Sequence, residues 1–440
     1  MKARITRREL LRTAGAAATV TLLPGGLART YAANSKVDVG FIGVGGVARG
    51  NRRRIKQLAD ANVVALCDVD RDTLAQAAKD HPGAKTYVDY RKMLPEHKGL
   101  DAVMISTPDH THFPASMLAM KLGKGVCTEK PMAHSVWEAR QMALAAARYK
   151  VATQMDNEHH ASPRMRQMVE WLRAGAIGKV REVHIISNRP IWPQGMKKRP
   201  PSQPPPKGLE WDLWIGAAPY RDYHKGLHHF AWRGWWDFGT GALGDMGCHQ
   251  FDPAVWALKL GSPTSVEAVQ EGNTAESGPK KSIITYEFAA RGADLPPVTL
   301  KWYDGGNLPP RPEELEPGRE LPKSGTLFVG ETGKILATHP PRARIIPEAK
   351  MKAYRQPEPF IPRSPGHKRE WIDAVRGGKP ASSNFIDYAG RLTEIVLLGN
   401  LAIRAGRKIA WDAEDLKAKG CPEADRYIRR EYRKGWDFTG

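Results

Sequence analysis

The stretch Val37-Asp-Val-Gly-Phe-Ile-Gly-Val-Gly-Gly-Val-Ala-Arg-Gly50 decides the fold of the first half of this 440-residue chain. An apolar strand runs into the pattern G-x-G-x-x-A, with Gly43, Gly45 and Ala48 at its fixed positions. Gly43 permits a tight turn, Gly45 lets a phosphate approach the backbone, and Ala48 lets the next helix pack closely on the strand. The pattern predicts the turn of a dinucleotide-binding βαβ unit, with the helix N-terminus facing the phosphates.

The chain after these glycines alternates between helix and strand, as a parallel sheet requires. A helix is predicted at 51–60 and a second strand at 62–68. Asp68 lies 25 positions after Gly43, at the carboxyl end of that strand, where an acidic side chain accepts hydrogen bonds from the adenosine ribose. Its charge would repel a 2′-phosphate, which favours NAD over NADP, although Arg71 stands nearby.

Two further predicted strands, at 101–107 and 125–128, end in polar loops. The first loop reads Thr107-Pro-Asp-His-Thr-His112, and the second reads Glu129-Lys130-Pro131. Ligands of doubly wound sheets bind beyond the carboxyl ends of the strands, and Pro131 biases Lys130 away from helix, so that its side chain can project into the cleft. The residues predicted to bind the cofactor are Gly43, Gly45, Gly46, Val47, Asp68, Thr107, Pro108, His112, Glu129 and Lys130.

The second half contains the glycine-rich stretch Gly239-Thr-Gly-Ala-Leu-Gly-Asp-Met-Gly-Cys-His-Gln-Phe-Asp252, which leads into a predicted apolar helix reaching Leu260. Asp245 and His249 are four residues apart and therefore share one face of a helix. A carboxylate beside an imidazole suits proton transfer near neutral pH. The spacing alone, however, is more typical of a buried structural pair.

The glycine turn, the 107–112 loop, Glu129-Lys130-Pro131 and the D-x-x-x-H pattern together resemble the Gfo/Idh/MocA oxidoreductase family. The resemblance covers nearly the whole chain after its first 33 residues. It implies an α/β protein with two domains. A Rossmann domain with a doubly wound parallel sheet is expected at 36–155, and a C-terminal substrate and oligomerisation domain with a large open, mainly antiparallel sheet at 156–440.

The same resemblance implies three catalytic residues, Lys130, Asp245 and His249. His249 would be the general base on a sugar hydroxyl. Lys130 would hydrogen-bond the same or a neighbouring hydroxyl and help to position the nicotinamide, while Asp245 would orient the substrate or His249. Because the open sheet face of such proteins often forms an oligomer interface, a homo-oligomer is expected.

Aromatic side chains concentrate between residues 192 and 256, which hold seven of the 13 tryptophans. Flat aromatic faces suit sugar rings, although each tryptophan taken singly is more typical of a core. The residues predicted to contact the substrate are Trp232, Arg233, Trp235, Trp236, His159 and Tyr303. Relatives tend to carry a glycine where Asp156 stands. No metal is expected, because the histidines at 224, 228, 229 and 249 lack a spacing typical of metal ligands.

The first 33 residues are predicted to be a twin-arginine signal peptide; the alternative is a basic, alanine-rich tail. Arg7 and Arg8 precede a short, mildly apolar run at 13–23, and small residues stand at 32 and 33. The run is shorter than the roughly 20 apolar residues that span a bilayer. The leader predicts that the Tat translocase exports the folded protein, to the periplasm or otherwise out of the cytoplasm, without a stable membrane anchor.

Composition excludes several other classes of protein. The formal charge is +20, but the basic residues are scattered and form no zinc finger or other nucleic-acid signature, so no nucleic-acid partner is expected. A preference for anionic substrates stays open. The four cysteines have no zinc-binding spacing; Cys67 and Cys127 are predicted to be buried thiols, and a disulfide is possible but not required.

These observations lead to the hypothesis of an NAD-dependent oxidoreductase that acts on a sugar or glycoside with a tightly bound cofactor. An exported enzyme meets no pool of free NAD, so its cofactor must be restored within the protein, for example by a second substrate that reoxidises the bound NADH in a ping-pong reaction. One alternative is a redox-neutral glycosidase that oxidises, eliminates, hydrates and reduces. Others are release of a keto-glycoside with an external electron acceptor, and a non-catalytic sugar-binding protein.

Overall fold

A computed structural model describes residues 35–436 of the chain. The predicted signal peptide, residues 1–33, lies outside these described residues. Two sheets, one of six strands and one of nine, organise the described part of the chain.

The first sheet is parallel and has the strand order β3-β2-β1-β4-β5-β6. Its strands are β1 Val37–Ile42, β2 Ala61–Cys67, β3 Lys85–Tyr87, β4 Ala102–Ile105, β5 Gly125–Thr128 and β6 Thr153–Met155. The order reverses between β1 and β4, and a crevice opens at such a point outside the carboxyl ends of the strands. The predicted doubly wound sheet is confirmed.

Five helices cover this sheet: α1 Ala48–Lys56, α2 Arg71–Asp80, α3 Tyr90–Glu96, α4 Asp109–Lys121 and α5 Val136–Tyr149. Helix α1 begins three residues before the predicted position 51. The reason is that Gly46 is the last residue of the turn with a left-handed backbone, φ +47°, and the helix follows it directly. Ser135 and Glu138 form a reciprocal capping box at the start of α5.

The second sheet has the order β13-β12-β11-β7-β10-β9-β8-β14-β15. Its strands are β7 Val180–Ile186, β8 Ser265–Glu271, β9 Lys281–Phe288, β10 Val298–Tyr303, β11 Gly325–Gly330, β12 Lys334–Thr338, β13 Arg342–Ile346, β14 Ile409–Asp412 and β15 Lys417–Lys419. Only β7 and β10 pair in parallel, so the predicted mainly antiparallel sheet is confirmed.

Helices cover one face of the second sheet and fill the space between the sheets. They are α6 Pro163–Arg173, α7 Trp211–Ile215, α8 Gly241–Gln250, α9 Asp252–Ala257, α10 Glu348–Ala353, α11 His367–Val375, α12 Gly390–Ala405 and α13 Asp425–Ile428. A π-helix at Phe385–Ala389 precedes α12, and 3₁₀ turns lie at Glu158–Ala161, Ala231–Gly234 and Pro422–Ala424. The alternating pattern of β9 buries Ile284, Tyr286 and Phe288 beneath this layer.

The glycine-rich motif forms α8, which packs closely against α12. A Cβ atom at Gly247 would lie 2.6 Å from Cγ1 of Val396, so the small residue is needed for this approach. The predicted glycine-rich loop before the apolar helix is itself helical, and the apolar helix contains Val255 and Trp256 but ends at Ala257, before Leu260. The helix divides at Phe251, because Pro253 at the start of α9 has no N–H to continue the hydrogen-bond ladder.

Segments of the second half also pack onto the first sheet. Trp371 and Ile372 of α11 share an apolar cluster with Val37, Val39 and Phe41 of β1. Residues 208–210 pair with residues 69–71 through backbone hydrogen bonds. The division into domains at residues 155 and 156 stays a prediction, while the core of the first sheet draws on both halves of the chain.

The cysteines and the helices of the described residues bear on two of the predictions. All four cysteines, Cys67, Cys127, Cys248 and Cys421, are buried free thiols, so the possible disulfide is absent from residues 35–436. Over the same residues, no helix combines the length and the apolar character that crossing a bilayer would require.

Candidate functional site

A cavity of about 770 Å³ lies at the point where the strand order of the first sheet reverses. The glycine turn and the loops after β2, β4 and β5 form one wall, and residues 213–233 of the second half form the other. Twelve predicted site residues line it: Gly43, Gly45, Gly46, Val47, Asp68, Thr107, Pro108, Glu129, Lys130, Trp232, Arg233 and Asp245. The volume is within the range of pockets that hold small ligands and cofactors.

The glycine turn at the base of the cavity depends on Gly43. The Gly43 backbone has φ +81°, and a Cβ atom there would lie 2.5 Å from the carbonyl oxygen of Ser106. Its N–H donates to the Cys67 carbonyl oxygen at 2.8 Å, which ties the turn to the end of β2. A side chain at this position would both strain the backbone and separate β1 from β4.

Gly43→Ala is therefore expected to empty the cavity of nucleotide and to lower the free energy of unfolding by about 2 kcal/mol or more. Nucleotide content and urea denaturation of the purified variant check this. Gly50→Ala in α1 is the matched control, since the nearest atom to its Cβ would be 3.9 Å away. That control should keep its nucleotide, and its free energy of unfolding should rise by up to about 1 kcal/mol. Equal behaviour of the two variants would contradict the role given to Gly43.

Asp68 braces the turn in addition to lining the cavity. One carboxylate oxygen accepts the Val44 N–H at 2.8 Å, and the other accepts the Asp70 N–H at 3.0 Å. Burial raises the pKa of this carboxyl group, and these two N–H groups oppose the rise. The bracing role was not predicted from the sequence, and the role on a ribose stays a prediction.

The lining of the cavity fits a dinucleotide. Ser106 and Thr107 line it, and their hydroxyl oxygens are buried without a hydrogen-bond partner in the described chain. The first turn of α1 carries no acidic residue, and Arg49 lines the cavity there. A helix N-terminus whose own first turn has no acidic residue suits a pyrophosphate, because the positive end of the helix dipole then faces the phosphates.

An aromatic strap, defined here as residues 208–233, closes the cavity from the second half of the chain. Leu213, Trp214, Phe230 and Trp232 of the strap line the cavity. The strap is fastened to the first sheet by Glu210, whose carboxylate accepts two bonds from the Arg71 guanidinium, at 2.7 and 2.9 Å. This pairing was not visible in the sequence, and it engages the arginine that left the choice between NAD and NADP open.

The strap also brings histidines to the rim of the cavity. His228 and His229 line it, and Asp70 lies beside them, close enough for one ligand atom of each to share a metal ion. His229 Nδ1 is 3.9 Å from the Asp70 carboxylate. Asp70 already caps α2 by accepting the N–H groups of Asp72 and Thr73. Sequence spacing did not reveal this group, because Asp70 comes from the other half of the chain.

At the opposite end of the cavity, Lys130 meets Asp245. The Lys130 ammonium group lies 2.9 Å from one Asp245 oxygen, and Arg189 Nε lies 2.9 Å from the other. Arg233 Nε is 3.5 Å from the first oxygen. Burial disfavours the charge of Asp245, but Lys130 and Arg233 outweigh it and lower its pKa. Asp245 is therefore a stable carboxylate that holds Lys130 in place.

His249 lies one helical turn beyond Asp245, outside the lining of the cavity. Burial, followed by the charge of Lys130, lowers its pKa well below the usual value, so the ring is neutral. Its ring centroid is 6.1 Å from that of His159 and 5.4 Å from that of His339. No hydrogen bond between Asp245 and His249 occurs within residues 35–436, so Asp245 orients Lys130 and not the imidazole.

His159, like its neighbour His249, is not among the residues that line the cavity, and four other predicted residues also lie away from it. His112 is fully buried, with its ring nitrogens 2.8 Å from the carbonyl oxygens of Thr107 and Pro131, where it joins the two loops. Trp235 and Trp236 are buried in two different apolar clusters. The Tyr303 hydroxyl lies 3.1 Å from His184 Nδ1 on the neighbouring strand β7. None of the four lines the cavity, and their predicted roles on cofactor or substrate are not supported by this placement.

Glu129 belongs to a buried network beneath Lys130. Asn51 Nδ2 donates to Glu129 at 2.8 Å and to Asp156 at 3.0 Å, and Asp156 pairs with Lys368 of α11. Burial, then the charge of Asp156, raises the pKa of Glu129 to about 8. Asp156, where relatives tend to have glycine, thus serves to anchor α11 to the first sheet.

The raised pKa of Glu129 has a consequence for stability. Its ordinary value is 4.5, so the folded state keeps a proton that the unfolded state loses between about pH 4.5 and about pH 8. The stabilisation is complete below pH 4.5 and falls as the pH rises. Glu129→Gln removes this pH dependence. As the pH rises through that window, the free energy of unfolding of the variant should therefore increase relative to that of wild type, by up to about 1.4 kcal/mol per pH unit.

Urea denaturation at several pH values checks this expectation. Glu267→Gln, on the exposed face of β8, is the matched control and should follow wild type throughout. A constant difference between Glu129→Gln and wild type across the window would show that Glu129 is charged in the folded protein.

Comparisons with known proteins agree with this architecture. Two family models match, "Oxidoreductase family, NAD-binding Rossmann fold" over residues 37–157 and "Oxidoreductase family, C-terminal alpha/beta domain" over residues 183–294. The structure of the WlbA dehydrogenase from Bordetella pertussis, in complex with NADH and UDP-GlcNAcA, has a TM-score of 0.61 and 17% identity. It covers 86% of this chain and 99% of that one, and shows the same fold.

Curated relatives match part of the chain. Inositol 2-dehydrogenase 3 of Saccharopolyspora erythraea is 30% identical over 160 residues, which are 36% of this chain and 47% of that protein. A glycosyl hydrolase family 109 protein of Stenotrophomonas maltophilia is 35% identical over 135 residues, 28% of this chain and 29% of that protein. The chain thus matches about half the length of the first relative. With both family models matched in order and both sheets present, the chain belongs to the Gfo/Idh/MocA family of NAD-binding oxidoreductases.

Proposed function

We propose that this protein oxidises a hydroxyl-bearing carbon of a sugar or glycoside and keeps its NAD tightly bound. The observation that carries the proposal is the ion pair of Lys130 and Asp245 at the end of the cavity, with the neutral His249 one helical turn away. These three groups can supply a hydrogen-bond donor, a carboxylate that holds the donor in place, and a base.

The roles follow from the charge states. Bound NAD supplies a hydride acceptor at its nicotinamide ring. The neutral imidazole of His249 accepts the proton of the substrate hydroxyl, because it is unprotonated at neutral pH. Lys130 donates a hydrogen bond to the oxygen on which negative charge develops, and Asp245 holds the ammonium group in position.

The structure supports NAD over NADP, and it also supports tight retention of the cofactor. Asp68 has a carboxylate at the predicted ribose position, where its charge would repel a 2′-phosphate, and Arg71 is paired with Glu210. Residues of the aromatic strap line the cavity, and backbone hydrogen bonds hold the strap to the first half of the chain, so we expect it to slow the release of a dinucleotide. We also propose that residues 1–33 are a twin-arginine leader that directs the protein to the periplasm, where tight retention of the cofactor would be needed. We further propose a homo-oligomer formed through the open face of the second sheet.

The test begins with protein purified without added nucleotide. After denaturation, released nucleotide is identified by mass and quantified; we expect NAD near one equivalent per chain. The retained cofactor is then challenged with sugars, and its reduction is followed by near-ultraviolet absorbance. An empty protein that binds NAD weakly would contradict tight retention. A loaded protein that no sugar reduces would contradict the oxidoreductase.

A redox-neutral glycosidase is the second candidate, and the similarity to glycosyl hydrolase family 109 proteins favours it. In that reaction the bound cofactor is reduced and reoxidised within one catalytic cycle. A glycosidase should therefore release many equivalents of phenol from an aryl glycoside without added NAD or any electron acceptor. A dehydrogenase would stop after one equivalent of oxidation.

A further inference from the structure

The ion-pair cluster around Asp245 carries more positive than negative charge. Lys130, Arg189 and Arg233 all lie within 3.5 Å of its two carboxylate oxygens. Three cations therefore share one anion. The side chains of Arg189 and Arg233 remain 21% and 26% exposed. Arg233 lines the cavity, and Arg189 adjoins it through its ion pair with Asp245.

Neighbouring acidic groups do not restore neutrality at this point. Asp109 is the next carboxylate, but one of its oxygens takes both the N–H and the hydroxyl of Thr240, at 3.0 and 2.6 Å. Among the described residues it forms no ion pair with either arginine. The carboxyl of Glu129 is turned to Asn51. The surplus beside Asp245 is two positive charges, and one remains when Asp109 is counted.

Both arginines retain donors that the protein does not use. Arg189 Nη1 donates to Asn188 Oδ1 at 2.7 Å, and Arg233 Nη1 donates to the Phe230 carbonyl oxygen at 3.2 Å. Their Nη2 groups make no hydrogen bond within residues 35–436. The Arg233 guanidinium also stacks 4.3 Å from the ring centroid of Trp232, which fixes its plane. A fixed guanidinium with free N–H groups is the group proteins use for carboxylates and phosphates.

We infer that the substrate carries an anionic group, a carboxylate or a phosphate, which binds Arg189 and Arg233 beside the reacting hydroxyl. The inference rests on the proposed function and narrows its substrate class to acidic sugars. A surplus of charge in a partly buried site is costly unless a ligand of opposite charge compensates for it. The anion would occupy the free Nη2 donors while Lys130 and His249 address the hydroxyl.

The test uses the NAD-loaded protein and pairs of sugars that differ in charge. Calorimetry compares D-glucuronate and D-glucose 6-phosphate with D-glucose, and D-galacturonate with D-galactose. We expect an acidic sugar to bind at least about tenfold more tightly than its neutral counterpart, with a ratio that shrinks as salt rises from about 20 to about 300 mM. A preference for the uronates or for the phosphate identifies the anion. Equal or weaker binding of all acidic sugars, including no binding, overturns the inference.

Arg233→Gln should reduce this ratio by about tenfold, because it removes the charge while retaining a polar side chain. Arg181→Gln on β7 is the matched control, since that arginine is exposed and pairs with Glu331 away from the site. Arg189→Gln is the second variant, should Arg233→Gln fail to give the wild-type circular dichroism spectrum. An unchanged ratio in a folded variant contradicts the assignment.

The same samples separate the two proposals, since the absorbance of the reduced nicotinamide is followed during each titration. Neutral sugars that bind and reduce the cofactor as well as acidic ones would overturn the inference alone. Acidic sugars that bind preferentially, with no sugar reducing the cofactor, would support the anion site and contradict the oxidoreductase.

Discussion

Replacing His249 with alanine is expected to lower kcat by about 100- to 10,000-fold while the bound nucleotide is retained. His249 is the base in the proposed reaction, and it lies outside the cavity lining that holds the cofactor. Its low pKa keeps the imidazole ready to accept a proton, so the wild-type rate should not fall between about pH 8 and about pH 6 on account of this group.

The measurement is cofactor reduction by the best sugar found, with nucleotide content determined on the same preparation. His184→Ala is the matched control: it removes a histidine that contacts Tyr303 on the second sheet, away from the cavity, and should leave kcat nearly unchanged. Turnover that survives in His249→Ala would assign the base to another group, and His339 or His159 would be the next to replace.

Lys130→Met is expected to lower kcat/KM by about 100- to 1,000-fold, because the substrate oxygen loses its charged hydrogen-bond donor. The fold should survive, since Asp245 keeps Arg189 and Arg233 as partners and is not left as an unpaired buried charge. Lys130→Arg should recover little, because a planar guanidinium cannot replace an ammonium group that bonds both a side-chain oxygen and the backbone oxygen of Asp245.

Kinetics with nucleotide content and thermal unfolding check this second expectation. Lys92→Met, at an exposed position of α3, is the matched control and should behave as wild type. If Lys130→Met loses its nucleotide but turns over normally when NAD is resupplied, Lys130 serves the cofactor and not the substrate.

The first sheet could be predicted because the residues that specify it are close together in the sequence. Strand, glycine turn, helix and acidic strand end follow one another along the chain, and the turn geometry at Gly43 requires a glycine. The approach of Lys130 to Asp245 was implied by the family resemblance, and no spacing in the sequence would have indicated it. The break at Phe251 could have been predicted from Pro253, whose missing N–H ends the preceding helix.

Other parts of the site depend on contacts between distant segments. Arg189 follows β7 and His339 lies in the turn between β12 and β13, so only the closure of the second sheet brings them to Asp245 and His249. The partnership of Asp156 with Lys368 spans more than two hundred residues and has no local pattern. Trp235 and Trp236 show the converse: composition indicated an aromatic cluster, but packing decided that these rings face the core.

The contribution of α11 to the first sheet constrains how the chain is made. Trp371 and Ile372 complete an apolar cluster whose other buried members all precede residue 130 in the sequence. Near the end of the chain, the Trp436 ring stacks on the Arg91 guanidinium at 3.9 Å. A ribosome therefore releases nearly the whole polypeptide before the nucleotide-binding half can close. A fragment ending at residue 155 would emerge with a bare hydrophobic surface, and chaperones that delay collapse would have to guard it until synthesis is complete.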